Sequence, residues 1–347
     1  MVKIKQIPED FVVEEVPEEF YFGEGNYSIY EMHKRNLTTH DAAFKIAEKL
    51  GVSLKDIGYA GSKDKHAVTS QLISIKKKIS QNFDFGDNLR LEFRRFLKNP
   101  ISLGDLKGNK FKIVLRDLEK FDVDRINTNA ELLRFLDWML PNYFDEQRFS
   151  SANIEIGITL LKKNYVEAVR LIDEHGNLAE VRNFLGNQPH DYVGALRNVP
   201  RRLLMIYVHS VQSHLFNELV NSYLDNVESA TVPYSRGEFF FPKQQAEQRE
   251  ILIPGFSMEF LPEEESLTKE LLQRHGLSEP DFLNRSLPEL NAESIRRKLL
   301  MKVENFNISA SEADELNEGK QKLSVSFFLG KGSYATIVCK FLTAVYD

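Results

Sequence analysis

The sequence predicts an α+β chain of two domains, and three observations carry that prediction. Strand-like runs dominate both ends of the chain, and helical runs fill its middle. A length of 347 residues is too great for one small domain and comfortable for two. No internal repeat or low-complexity linker breaks the pattern. We therefore expect a mixed, largely antiparallel sheet domain made from about residues 1–150 plus 308–347. A mostly helical domain at about 151–307 is expected to interrupt it.

The elements follow in order. Phe11–Glu14 and Tyr27–Met32 read as short strands. Thr38 then offers an N-cap, with Asp41 near the positive helix end, and the helix runs to a stop at Gly51. Ser53 with Asp56 opens a short turn before a strand at Ile57–Ala60. Gly61–His66 is a polar loop feeding a β-branched strand at Ala67–Ile75. Leu89–Phe96 and Lys110–Arg116 continue the strands, with a turn expected at Gly104–Gly108. Asp124–Trp138 is helical in pattern, and the aromatic-rich Pro141–Ser150 breaks it. Leu203–Tyr223 places Tyr207, Val211, Leu215 and Leu219 on one helical face. Phe239–Phe241 is a short strand or turn, and Glu247–Glu304 reads as charged helix and loop. Leu323–Phe328 alternates like a strand, and Tyr334–Phe341 reads as a last strand.

Composition removes several function classes. Hydrophobic residues make up 42% and charged residues 28%, as in ordinary globular domains. No run approaches the roughly 20 apolar residues of a membrane helix. The opening MVKIKQIPED lacks the apolar stretch of a signal peptide. One cysteine, Cys339, allows no intrachain disulfide and no multi-thiolate zinc site. The expected setting is a reducing cytoplasm, away from membranes. Eight histidines are scattered, and His209 and His214 stand five apart rather than the four that align two ligands, so no metal site is expected. The net charge is −6, yet residues 60–116 hold 13 Lys/Arg against 5 Asp/Glu. A basic face on an acidic body suits a nucleic-acid partner. Lys76–Lys78, Arg94–Arg95, Arg197, Arg201 and Arg202 are candidate phosphate contacts.

The most informative stretch is Gly58–Gln71, GYAGSKDKHAVTSQ. Asp64 sits between Lys63 and Lys65, after a glycine turn and before a strand. Nearby cations favour the ionised form of a carboxylate. That form is a poor general acid but a competent nucleophile. An isolated Lys-Asp-Lys loop is more often an ordinary surface turn, so the spacing of the whole stretch has to decide. Neither Gly61-Ser62-Lys63-Asp64 nor Gly330-Lys331-Gly332-Ser333 has the spacing of a phosphate-binding P-loop.

From Ala60 to Gln71 the stretch resembles the A-G-x-K-D-K-x-A-V-T-x-Q signature of the TruD family of RNA pseudouridine synthases, with every fixed position present. The resemblance extends to Lys5 with Pro8–Val13, to Asn36–Thr39, to Leu106–Phe111 and to Pro141–Phe144 with Gln147–Phe149. It ends at Gly332–Thr336 and so spans nearly the whole chain. Two departures stand out. Asp145 and Ser150 replace family glycines, and Cys339-Lys340-Phe341 replaces the usual Arg-Glu ending.

The resemblance implies a sheet of the pseudouridine synthase type with an inserted TRUD domain. It implies isomerisation of a uridine in transfer RNA, at uridine 13, with no cofactor or metal and no obligate protein partner. Asp64 would be the nucleophile, Lys5 its basic partner, Asn109 a positioning group and Phe111 the platform for the target base. Phe149 is a further aromatic candidate. Lys63, Lys65, Lys107 and Arg148, the basic residues of these blocks, would contact RNA. A catalytically silent RNA-binding protein of the same fold is the rival reading. An unrelated carboxylate hydrolase would need a second acid or base, for which only Glu14, Glu15 and Glu146 offer themselves.

Overall fold

A computed structural model describes residues 2–19, 25–149, 152–176 and 178–346. Ser150 lies outside the described residues. The chain divides into two compact units, Met1–Arg134 with Lys302–Ala335, and Phe135–Met301 with Thr336–Asp347.

In chain order the first unit contains β1 (Phe11–Pro17), β2 (Tyr27–Arg35), α1 (Thr39–Leu50), β3 (Ile57–Tyr59), β4 (Val68–Ile75), β5 (Phe83–Asp84), β6 (Leu89–Leu97), β7 (Leu106–Leu118) and α2 (Lys120–Phe135). The second contains β8 (Met139–Pro141), α3 (Asn153–Leu161), α4 (Tyr165–Gly176), α5 (Ala179–Asn187), α6 (Tyr192–Arg197), α7 (Arg201–Leu224), β9 (Ser229–Tyr234), β10 (Gly237–Pro242), β11 (Glu250–Ile253), α8 (Glu264–Arg274) and β12 (Ile295–Lys298). The chain then adds β13 (Leu300–Ile308), β14 (Glu312–Ala313) and β15 (Gln321–Gly330) to the first unit's sheet, and α9 (Ala335–Thr343) to the second.

The sheet of the first unit runs β5-β6-β2-β4-β1-β7-β15-β13, with β3 beside β4 and β14 beside β15. β1 and β4 pair in parallel, and the other pairings around them are antiparallel. The α+β class and the mostly antiparallel sheet expected from the sequence are thus both present. α1 is capped as its sequence requires: the Thr38 side chain accepts from the Asp41 amide, and Gly51 closes the helix in the left-handed region. Its Ala43, Ile46, Ala47 and Leu50 bury against Tyr30, Met32, Ile73 and Leu91 of the sheet. In the second unit α7 is buried along most of its length, as befits a central helix. It packs closely on α3 at Gly157, where a Cβ would lie 2.3 Å from the Tyr207 carbonyl.

Three expectations need correction. Residues 334–341 do not form a strand: α9 occupies Ala335–Thr343. The Ile337-Val338 pair reads as β-prone, but Val338, Phe341 and Leu342 bury together at helical spacing. Packing overrides local propensity there. The turn expected at Gly104–Gly108 ends early, because β7 starts at Leu106. Gly104 turns the chain with φ +91°, whereas Gly108 lies within the strand, where a Cβ would stand 2.1 Å from the Leu329 carbonyl. The stretch Glu247–Glu304 carries paired strands β11 and β12 as well as α8. Their short length hides their alternation among charges.

Candidate active site

The Asp64 loop joins β3 to β4, and its conformation is fixed by partners from the sheet. Gln71 on β4 donates to the Gly61 carbonyl at 2.9 Å. Thr39 Oγ1 accepts from the Lys63 amide at 2.9 Å and donates to Gln71 Oε1 at 3.0 Å. Lys63 does not face solvent. Its ammonium pairs with Glu15 of β1 at 2.5 Å, and both side chains are buried. Beneath the loop, Lys34 of β2 donates to the carbonyls of Leu37 and Asp64, at 2.7 and 2.8 Å. The loop bearing the carboxylate is therefore anchored on both sides of Asp64.

The carboxylate itself is one-third exposed and accepts from Lys5 Nζ at 2.7 Å. Lys5 occupies the left-handed region, φ +61°, unusual for a lysine. The N-terminal segment is held there from two directions. Lys3 and Arg116 exchange backbone hydrogen bonds of 3.0 and 2.9 Å. The Arg116 guanidinium, buried inside the unit, donates to Asp10 at 2.8 Å and to Asp314 at 2.7 Å. Lys5 also stands 4.0 Å above the Phe11 ring.

From Phe11 an aromatic surface continues across the sheet. Strand register places Phe111 opposite Val13 on β1 and opposite Phe327 on β15. Directly opposed residues share a face, so Glu15, Asn109, Phe111, Phe327, Thr69 and Gln71 all lie on one side of the sheet. The Phe111 ring lies 6.1 Å from Phe11 and 5.6 Å from Phe327, centre to centre. Two residues along β7, the buried Asn109 Oδ1 has no hydrogen-bond partner among the described residues. A buried acceptor left unpaired costs free energy unless something supplies a donor.

The structure thus brings Lys5 and Asp64 into contact, and Asn109 and Phe111 onto one face. It treats the proposed RNA contacts differently. Lys65 is exposed, and Lys107 is exposed beside Glu19 at 3.2 Å. Lys63 is taken by Glu15, and Arg148 belongs to the second unit. In the basic runs, Arg94 is engaged by Glu31 and Glu92, and Lys77 donates to the Leu50 carbonyl. Phe149 is buried in the second unit between His214 and Tyr234, a core position. Leu215, on the apolar face read from the sequence, is core, and Phe216 is buried beside it. Asn217 ties the backbone of Phe144 through bonds of 2.9 and 2.8 Å.

Lys34 and Phe327 were missed by sequence reasoning. Strand alternation does carry a signal for Lys34, because Tyr30, Met32 and Lys34 share the buried face of β2. Burial draws the Lys34 ammonium down to about 8, against the opposing pull of Asp64. An unfolded lysine keeps its proton to about 10.4. Between these values the unfolded chain binds more protons than the folded one, so stability rises with pH. Melting curves should therefore show wild type gaining on Lys34→Met from about pH 8 to about 10.4. A difference that stays flat through that window would mean that Lys34 is not buried as a cation.

Two donor clusters could attract a metal among the described residues, Glu31-His33-Glu92 and His214-Glu218-His275. In the second, both imidazoles hydrogen-bond one carboxylate, at 3.2 and 3.0 Å. Burial alone would raise the Glu218 carboxyl, but the two histidines outweigh it and hold it well below the usual range. The cluster fastens α7 to the end of α8. Neither cluster includes Asp64 or its partners.

The sequence model described as tRNA pseudouridine synthase D (TruD) matches residues 1–178, 173–251 and 243–342. A relative from Methanocaldococcus jannaschii named "Probable tRNA pseudouridine synthase D 2" is 33% identical, with 98% of this chain and 91% of the relative covered. A tRNA pseudouridine synthase D from Leptospira interrogans is 28% identical, with 97% and 95% covered. A solved structure from Methanosarcina mazei, carried under the same TruD name, superposes with a TM-score of 0.68 at 25% identity, over 98% of this chain and 93% of that one. The chain belongs to the TruD family of pseudouridine synthases and is an isomerase of that type.

Proposed function

We propose that this enzyme isomerises uridine 13 of transfer RNA to pseudouridine, with Asp64 as its nucleophile. The observation that carries the reading is the 2.7 Å pair between Lys5 and Asp64 on a loop anchored beside an aromatic sheet face. In this reading residues 1–150 with 308–347 form the catalytic domain, and residues 151–307 form the TRUD insertion. Transfer RNA is the partner and the cytoplasm the compartment. Lys65, Lys107 and, in the second unit, Arg148 meet the RNA backbone.

The reaction conserves atoms. The bond between uracil N1 and ribose C1′ breaks, the base turns, C5 bonds to C1′, the C5 proton leaves and N1 takes up a proton. A base inside a stack cannot be reached, so the uridine must be extruded. Phe111, backed by the buried Phe327, would stack on the base, and the Asn109 Oδ1 offers an acceptor to the uracil N–H. Lys5 orients the Asp64 carboxylate throughout.

The test is to incubate the purified chain with unmodified transfer RNA and map pseudouridine by carbodiimide adduct and primer extension. One stop at position 13, absent when that uridine is replaced by cytidine, is expected. Binding without any stop would favour the silent rival. Phe111→Ala should slow conversion by roughly 5- to 150-fold, the worth of one base stacked on an aromatic ring. Single-turnover rates would read this, and an unchanged rate would remove Phe111 from the platform.

A further inference from the structure

The second unit contains a cavity of about 470 Å³. Its lining includes Phe144, Arg148, His209, Ser213, Arg296 and Arg297. The three guanidinium groups are not equivalent. Arg296 is paired with Glu264 through two bonds, of 3.0 and 2.7 Å, so its charge is compensated. Arg297 is fixed by Asn142, with bonds of 2.6 Å to the side chain and 3.0 Å to the carbonyl, and stands 4.3 Å over the Phe144 ring. Arg148 donates through Nε to Ser213 at 3.1 Å. Arg148 also stands 5.7 Å over the Phe144 ring at the cavity wall, and among the described residues it forms no ion pair. Glu293, exposed, also lines the cavity.

A half-buried guanidinium anchored at Nε by a neutral hydroxyl presents its fork preformed. That fork matches the oxygens of a phosphate and is rigid enough to lose little entropy on binding. His209 lies at the same wall. Burial, and then the nearby Arg148 charge, lower its tendency to protonate. An imidazole at the wall of a phosphate site can meet a ribose hydroxyl, which both donates and accepts. The cavity falls within the size range of small-ligand sites, enough for one phosphate and its flanking sugar.

We propose that this cavity seats one backbone phosphodiester of the RNA substrate, gripped by Arg148, with His209 toward the adjoining 2′-hydroxyl. The proposal rests on the RNA-modifying reading above and gives the second unit a defined part in it.

The experiment measures KM and kcat for unmodified transfer RNA across a salt series, for wild type, Arg148→Gln and Arg148→Lys, with melting curves as a check on folding. Arg148→Gln should raise KM roughly 10- to 100-fold, more than it lowers kcat, as loss of a charge-assisted bond implies. Its log–log salt slope should fall by about 0.7 to 0.9, one phosphate contact. Arg148→Lys should restore the slope but only part of the affinity. A scan of single methylphosphonates should find one phosphate whose neutralisation weakens wild type about tenfold and barely affects Arg148→Gln. A folded Arg148→Gln with wild-type KM and slope would overturn the proposal, as would a raised KM with an unchanged slope. Should Arg148→Gln fail to fold, the methylphosphonate scan on wild type decides, and a flat scan refutes the site. Should wild type convert no uridine, the earlier reading fails, while binding by fluorescence anisotropy still tests the cavity.

Discussion

Asp64→Asn is expected to lower single-turnover pseudouridine formation by at least about 10⁴-fold while RNA affinity stays within a few-fold of wild type. The substitution keeps size and a hydrogen-bonding oxygen for Lys5 but removes the nucleophile. Lys5→Met should cost less, because it frees the carboxylate without deleting it. If Asp64→Asn retained a tenth of the wild-type rate, Asp64 could not be the attacking group, and the Lys5 pair would be structural.

The second large effect concerns Arg116, far along the sequence from Lys5 but joined to it in the fold. Its guanidinium is buried with Asp10 and Asp314, and its backbone pairs with Lys3. Arg116→Met would leave two buried carboxylates without their cation. Breaking a buried pair from one side costs about 3–5 kcal/mol. Chemical denaturation should show that loss. Because the same residue fixes the segment bearing Lys5, the folded fraction should also convert uridine more slowly. A loss below about 1 kcal/mol, the value of an exposed pair, would contradict the burial of this cluster.

Much of this was legible in the sequence, and the reasons differ by residue. The Asp64 loop was readable because its chemistry is local: glycines, flanking lysines and the following β-branched strand lie within twelve residues. The α1 cap was readable for the same reason. The Lys63–Glu15 pair was not legible because Glu15 is 48 residues away and reaches it only through β1–β4 pairing. Phe327 is one of 25 phenylalanines, and only the β7–β15 register sets it against Phe111. α9 was misread as a strand because β-branched residues mimic one until packing is known.

The departures from the family pattern are instructive. Asp145 and Lys340 looked like two separate irregularities. In the fold the Lys340 ammonium donates to the buried Asp145 carboxylate at 2.6 Å and sits 4.8 Å over the Phe239 ring. Each replacement supplies the partner the other needs, a relation that pairwise distance in the sequence conceals.

The most direct test of the account is tritium release from transfer RNA labelled at uridine C5, by wild type and by Asp64→Ala. New bonding at C5 expels that hydrogen, so release counts completed isomerisations. Wild type should release one tritium per transfer RNA, and Asp64→Ala none although it still binds. No release by wild type despite tight binding, or equal release by both proteins, would contradict it.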